Sequence, residues 1–322
     1  MQRRVTLIVL AATLALALAA TAQAGTTYQL GDVFVAVGNG LVNEYTPAGV
    51  FVQTMNNGTG NAYTTGMAFD SSANLYVTNF NTTTSKFDSS GNLVNAAWVT
   101  GQTNNESIAM PGGAFPALIG DASRNTIGQY NNSGTLINTY TVQTENRGTD
   151  WVDLLPNGKT VYYTSEGSTI FSYDISTSTQ NAPFATGLPG GAAYALRGIT
   201  SGSFAGYVLV ADSTAALLIN PSGVIATVYN LPGNAGADFA LNLDPTGTAF
   251  WTADLASGTV WEVRISDGAI LEQWNPGFGG TTAGLAVFGE KGQGGTPEPG
   301  TLVLFGSAVI GMAGVLRRKI NL

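Results

Sequence analysis

The sequence predicts an all-β protein, a six-bladed β-propeller whose ring closes by pairing a C-terminal strand with the N-terminal three. Three observations lead there. A glycine turn recurs at nearly constant spacing: the glycines fall at 49, 91, 134, 223 and 268, and the gaps are 42, 43, 89 and 45, with 89 standing for two periods. A second pair of strand-like segments lies upstream of each turn. The first unit is short by one strand, and the last unit is a lone strand. Four short strands in each period of about 43 residues are the pattern of a propeller blade.

The repeat is a β-hairpin in chemical terms. Tyr45-Thr46-Pro47-Ala48-Gly49-Val50-Phe51 is echoed by Phe87-Asp88-Ser89-Ser90-Gly91-Asn92-Leu93, and again at Tyr130, Ile219 and Ile265. An aromatic or aliphatic residue ends one strand. Asp, Asn or Pro opens the turn, glycine takes the positive-φ position, and alternating apolar residues start the next strand. The unit near Tyr173-Asp174-Ile175-Ser176 keeps the spacing without the glycine. The best upstream pair is Phe239-Ala240-Leu241-Asn242-Leu243, the turn Asp244-Pro245-Thr246-Gly247, and Ala249-Phe250-Trp251-Thr252-Ala253.

Taken in order, the chain begins with Arg3-Arg4, an apolar stretch over 5–20, and Ala22-Gln23-Ala24. A charged start, an apolar core and a small-x-small site make a secretory signal peptide over 1–24, cut by signal peptidase after Ala24. The propeller is expected over 25–290. Complete blades are expected at 64–98, 106–142, 147–186, 193–231 and 236–275. The three-stranded fragment 31–55 and the inner strand Ala283-Gly284-Leu285-Ala286-Val287-Phe288 complete the sixth. A β-sandwich with long loops competes, but nothing in a sandwich demands a constant period. The glycine-rich run 289–295 reads as a flexible linker, assigned to 291–296.

The last 26 residues, 297–322, have three parts. Pro297-Glu298-Pro299 cannot pair into a sheet or open a regular helix, so it stays extended and accessible to an enzyme. An apolar run follows over 301–316, read as a transmembrane helix a little short of the roughly 20 residues that span a bilayer. Arg317-Arg318-Lys319 then holds the cytoplasmic side. These parts, in this order, resemble the PEP-CTERM sorting signal of Gram-negative bacteria that make exopolysaccharide. The resemblance implies recognition by an exosortase-like membrane protease, and release or attachment at the cell surface. An ordinary C-terminal anchor is the simpler alternative, though it has no need of the Pro-Glu-Pro edge.

Composition narrows the chemistry. There is no cysteine and no histidine. That excludes disulfides, a lipoprotein anchor, thiol catalysis, Ser-His-Asp triads and the usual transition-metal ligands. Between residues 25 and 296 there are 19 acidic and 7 basic side chains, so the body carries a net −12. Such a body does not bind nucleic acid by charge. It attracts cations.

The period and the inner-strand pattern, as in Asp238-Phe239-Ala240-Leu241-Asn242-Leu243-Asp244-Pro245, resemble the six-bladed NHL and gluconolactonase-like propellers over most of 31–290. The lactonase-like members hold one divalent cation with a Glu, Asn and Asp set. No glutamate stands at the start of the first blade here, where Thr26-Thr27-Tyr28-Gln29-Leu30 lies, and Glu106 falls in another blade.

Reading the repeats in parallel places Thr65, Ser107, Asp150, Arg197, Asp238 and Ala283 just before the inner strands, facing the central channel. Asp150 and Asp238 are the candidate oxygen ligands for Ca²⁺, another divalent cation or a sugar hydroxyl. The simpler alternative is that Arg197 pairs with one of the aspartates and plugs the channel. Asp121, Glu166, Asp212 and Asp254 recur after the second strand of four blades, which points to a shared job capping the turn amides that follow. The expected function is an exported, non-enzymatic interaction module at the cell surface or in the matrix. Alternatives are a cation-dependent lactonase-like hydrolase, and a glycan-binding propeller of the exopolysaccharide layer. Expected partners are signal peptidase, the exosortase-like protease, and a surface protein or extracellular polysaccharide.

Overall fold

The computed structural model describes residues 25–292, so the leader 1–24 and the tail 297–322, with its apolar run, lie outside the described residues. No helix among the described residues is long and apolar enough to cross a membrane. The described residues form six antiparallel four-stranded sheets. Blade 2 is β4 (Met67–Phe69), β5 (Leu75–Thr78), β6 (Thr84–Phe87) and β7 (Leu93–Val99). Blade 3 is β8 (Asn105–Ala109), β9 (Ala117–Asp121), β10 (Thr126–Tyr130) and β11 (Leu136–Thr141). Blade 4 is β12 (Val152–Leu154), β13 (Thr160–Tyr163), β14 (Phe171–Asp174) and β15 (Thr179–Gln180). Blade 5 is β16 (Ala193–Gly198), β17 (Val208–Asp212), β18 (Ala215–Ile219) and β19 (Ile225–Tyr229). Blade 6 is β20 (Asp238–Leu243), β21 (Ala249–Asp254), β22 (Val260–Arg264) and β23 (Ile270–Trp274).

Blade 1 combines the two ends of the ring. Its order is β24 (Leu285–Val287), β1 (Val33–Gly38), β2 (Leu41–Tyr45) and β3 (Phe51–Asn56), so the C-terminal strand is innermost, as the fragments in the sequence require. Val33, Phe34 and Val35 pair with Val287, Ala286 and Leu285. The ladder extends through Phe288 N–H to the Asp32 carbonyl at 2.9 Å and Ala36 N–H to the Gly284 carbonyl at 2.9 Å. Each inner strand touches the next around the circle: β24 to β4, β4 to β8, β8 to β12, β12 to β16, β16 to β20 and β20 back to β24.

Burial follows position in the blade. Inner and second strands sit between neighbouring blades and are packed on both faces, so β1, β20 and β21 are buried along their whole lengths. The outermost strands face solvent, and β7 is exposed over its first five residues. At the seam of blades 1 and 2, Tyr28, Phe34, Phe69 and Phe288 meet edge to face, with centroids 4.8 Å apart for Tyr28–Phe34 and 5.1 Å for Phe34–Phe69 and Phe69–Phe288. This cluster ties the chain's first described segment to its last.

Past β24 the glycine run does not leave the ring at once. Glu290 is buried; it accepts from Arg197 Nε at 2.9 Å, Asn242 Nδ2 at 2.7 Å and Leu243 N–H at 2.8 Å. Gly112 N–H donates to the Gly292 carbonyl at 3.0 Å. The part of the expected linker through Gly292 is therefore held against the ring, and its remaining residues lie outside the described residues. A carboxylate in the run, invisible to a reading based on glycine content, staples the segment to blades 5 and 6.

The repeated turn needs its glycine. Gly134 has φ +75°, and a Cβ there would overlap the Trp98 carbonyl oxygen of the neighbouring blade. Gly134→Ala should lower stability by about 2 kcal/mol or more through backbone strain and this overlap; an unchanged denaturation midpoint contradicts the turn's role. Deleting 281–290 should lower the melting of the whole ring in one transition, because it opens blade 1 and removes the Glu290 staple. A truncated chain that melts like the intact one contradicts closure as described.

Candidate binding site at the channel mouth

Strand pairing fixes which residues share a level around the channel. Phe80, Asp121, Glu166, Asp212 and Asp254 stand at or just past the end of the second strands. Two residues earlier are Thr78, Ile119, Thr164, Val210 and Thr252. Their inner-strand partners are Gly66, Ile108, Trp151, Leu196 and Leu241. One position before these lie Thr65, Ser107, Asp150, Ala195 and Ala240, joined by Ala283 of the closing segment, since Gly284 bonds Ala36. Thr65, Ser107, Asp150 and Ala283 thus form one level, as the parallel reading has it. Arg197 lies two residues deeper in the channel, and Asp238 two residues nearer the mouth. Bulges at the start of β16 and β20, between Ala193 and Leu196 and between Asp238 and Ala240, upset simple counting in these two blades.

Arg197 is buried and pairs with Glu290 at 2.9 Å, with its guanidinium 6.0 Å from the centroid of the Trp151 ring. It pairs with neither Asp150 nor Asp238. Asp238, fully buried, accepts from Thr252 Oγ1 at 2.5 Å; burial, with Asp254 and Asp212 nearby, pushes its carboxyl well up. Asp150 belongs to a different cluster with Glu106 and Arg147. Among the described residues no three carboxylates converge as a metal-holding group. Thr65 donates its hydroxyl to the Glu106 carbonyl at 2.5 Å, and Ser107 is buried with no hydrogen-bond partner for its hydroxyl.

The mouth itself is a cavity of about 220 Å³. Tyr63, Phe80, Tyr194, Phe239, Leu255 and Ala283 form its apolar wall, and Glu106, Arg147, Glu166 and Thr65 its polar one. Tyr194 and Phe239 pack at 4.6 Å between centroids, and Tyr63 and Phe80 meet edge to face at 5.9 Å. Glu106 is wholly buried, and neither of its carboxylate oxygens accepts a hydrogen bond. The same holds for Asp150. Arg147 lies among three acids: 3.6 Å from Glu106, 4.0 Å from Asp150, and in direct contact with Glu166. Its guanidinium is 5.4 Å from the centre of the Phe80 ring.

One guanidinium does not balance three buried or half-buried carboxylates. Burial, then the Asp150 charge, pushes the Glu106 carboxyl well above the usual range, with Arg147 opposing. Burial, then the Glu166 charge, pushes Asp150 up to about 8, again against Arg147.

The recurrent acids divide here. Asp121 accepts from the amides of Thr103 and Asn104, Asp212 from Gly190, and Asp254 from Ala235 and Ala237, so these three do cap turn amides, including amides of the segment that precedes each inner strand. Glu166 does not. It has φ +48° and turns its carboxylate to Arg147 at the mouth. Repeat position suggested a cap, but the partner that redirects it, Arg147, comes from the segment that leads into the inner strand of the same blade. Glu106 and Arg147 were likewise missed as mouth residues; the sequence signal was Glu106 beside the channel position Ser107.

Residues 296–319 match the PEP-CTERM protein-sorting motif. No curated protein matches the chain. Among solved structures, the chain is similar to one in the crystal structure of a nidogen/laminin complex, with a TM-score of 0.62 and 14% identity over 80% of this chain and 98% of that one. At that identity the likeness concerns the fold, a six-bladed propeller. The sorting motif implies export across the inner membrane and C-terminal processing by an exosortase-like enzyme.

An acid that holds its proton more tightly folded than unfolded contributes fully below its unfolded pKa, and that contribution is lost as pH rises through the folded one. For Asp150 the window runs from 3.8 to about 8. The full chain should therefore lose melting temperature between pH 4 and 8, and Asp150→Asn should flatten that fall. An equal slope in variant and parent contradicts the burial of an uncompensated carboxyl here.

Proposed function

We propose that this chain is an exported, non-enzymatic binding module that works at the cell surface or in the extracellular matrix. Signal peptidase removes 1–24, and an exosortase-like protease acts at Pro297-Glu298-Pro299, with 301–316 held in the membrane and Arg317, Arg318 and Lys319 on its inner side. The observation that carries the reading is the sorting motif at 296–319, downstream of a ring whose closing strand is Leu285–Val287. A closed propeller suits a binding role, since it presents a rigid mouth built from loops of several blades. The absence of histidine and cysteine supports binding over hydrolysis. The partner is a surface protein or extracellular polysaccharide.

The test is expression of the full chain and of Glu298→Ala in a bacterium with an exosortase system. The parent should appear outside the inner membrane, shortened by the tail, while the variant should accumulate at its longer mass. Identical mass and fractionation of the two overturn the sorting half of the reading. Turnover of lactones or phosphoesters by the full chain with added Ca²⁺ or Mn²⁺, lost in Asp150→Ala, overturns the non-enzymatic half.

A further inference from the structure

The mouth cavity has a chemistry that no turn or core requirement explains. Glu106 is buried to 0% exposure, lines the cavity, and offers two oxygens that accept no hydrogen bond. A bare buried carboxylate with no donor is costly, so its persistence asks for a partner that arrives from outside. The facing wall is aromatic: Tyr63, Phe80, Tyr194 and Phe239. Ring faces and carboxylates both favour positive charge. Arg147 already shows the fit, since its guanidinium stands over Phe80 and among Glu106, Asp150 and Glu166. It is tethered to a loop, and a single guanidinium does not suffice for all three acids around it.

We propose that the channel mouth binds an organic ammonium group, with the charge against Glu106, which lines the cavity and has the buried Asp150 near it, and the carbon skeleton against Tyr194 and Phe239. A cavity of about 220 Å³ suits one small amine or one side chain that ends in an amine. A bare divalent ion fits less well. Such an ion takes six to eight oxygens at close range, and half of this wall is ring and alkyl surface. The proposal rests on the reading of the protein as a binding module and supplies the ligand class for its mouth.

Binding of an ammonium ion stabilises the ionised acids, so it releases a proton and tightens as pH rises toward 8. The groups that face the two acids are Arg147, which resists protonation of them, and Glu166, which favours it; Tyr194 lines the same wall.

The experiment is calorimetric titration of the full chain, in mild detergent, with phenethylammonium, with Nα-acetyl-lysine amide, with neutral 2-phenylethanol and with CaCl₂. One or both amines should bind with saturation, about tenfold or more tighter than the alcohol, and tighter at pH 8 than at pH 6. The tighter amine names the source, a free amine or a lysine side chain of a partner protein. Glu106→Gln should weaken the better amine about tenfold or more; Phe239→Leu, which keeps every charge, should weaken it by a smaller factor. Both variants are first checked for the parent's melting behaviour, and if Glu106→Gln does not fold, Phe239→Leu and the pH dependence carry the test. Equal binding of amine and alcohol, no binding of either amine, or Ca²⁺ saturating the site and displacing the amine overturns the proposal. Because these titrations do not depend on sorting, failure here leaves the localisation result standing, and failure of sorting leaves the amine site standing.

Discussion

The structure depends on the closure of blade 1, where a strand from the end of the ring is laid against β1. A propeller blade has two large apolar faces and is stable only between neighbours, so a gap in the ring would expose two of them at once. Three paired residues on β24 are a short ladder for that task. The aromatic cluster around Phe288 and the buried Glu290 extend it on the C-terminal side. Glu290 is notable because it gathers donors from blades 5 and 6 together, through Arg197, Asn242 and Leu243. A buried ion pair of this kind contributes little net stability against an apolar replacement, yet loss of either partner leaves a charge stranded. Its value here is in fixing where the closing segment goes.

Closure also builds the mouth. Ala283, just ahead of β24, lines the cavity alongside Thr65 of blade 2 and Phe239 of blade 6. The walls thus come from segments far apart in sequence, and the site exists only when the ring is shut. The two ends of the channel differ in electrostatics. Around Glu290 each acid has donors arranged for it. At the mouth, Glu106 and Asp150 have charge nearby but no hydrogen bonds. Carboxylates supplied with hydrogen-bond donors at one end and carboxylates without them at the other separate a structural cluster from a candidate binding one.

Much of the fold could be read from the chain because it repeats. Turn glycines, hairpin chemistry and the missing strand of the first unit each have local causes, and together they set blade number and closure. The mouth was less legible. Thr65, Ser107, Asp150 and Ala283 were found at one level because the repeat carries them there, whereas Arg197 and Asp238 were displaced by bulges that leave no mark in composition. Arg147 sits in the loop between β11 and β12, at the very start of its expected blade, and Glu166 was masked by sharing a position with three turn-capping aspartates. Glu290 was hidden in a run whose glycines suggested slack. Residues that act across blades have partners set by the closed ring, and no short window of sequence contains both members of such a pair.

The most direct test of this account is native-state hydrogen exchange on the full chain, comparing the amides of β1 and β24 with those of the inner strands β8, β12 and β16. If closure holds the ring as one unit, the slowest amides in all of these strands should exchange through the same global opening and share one free energy. Exchange of β1 and β24 through a much cheaper local opening, with blades 3 to 5 still protected, would show that the ring stands without its seam and would contradict the account.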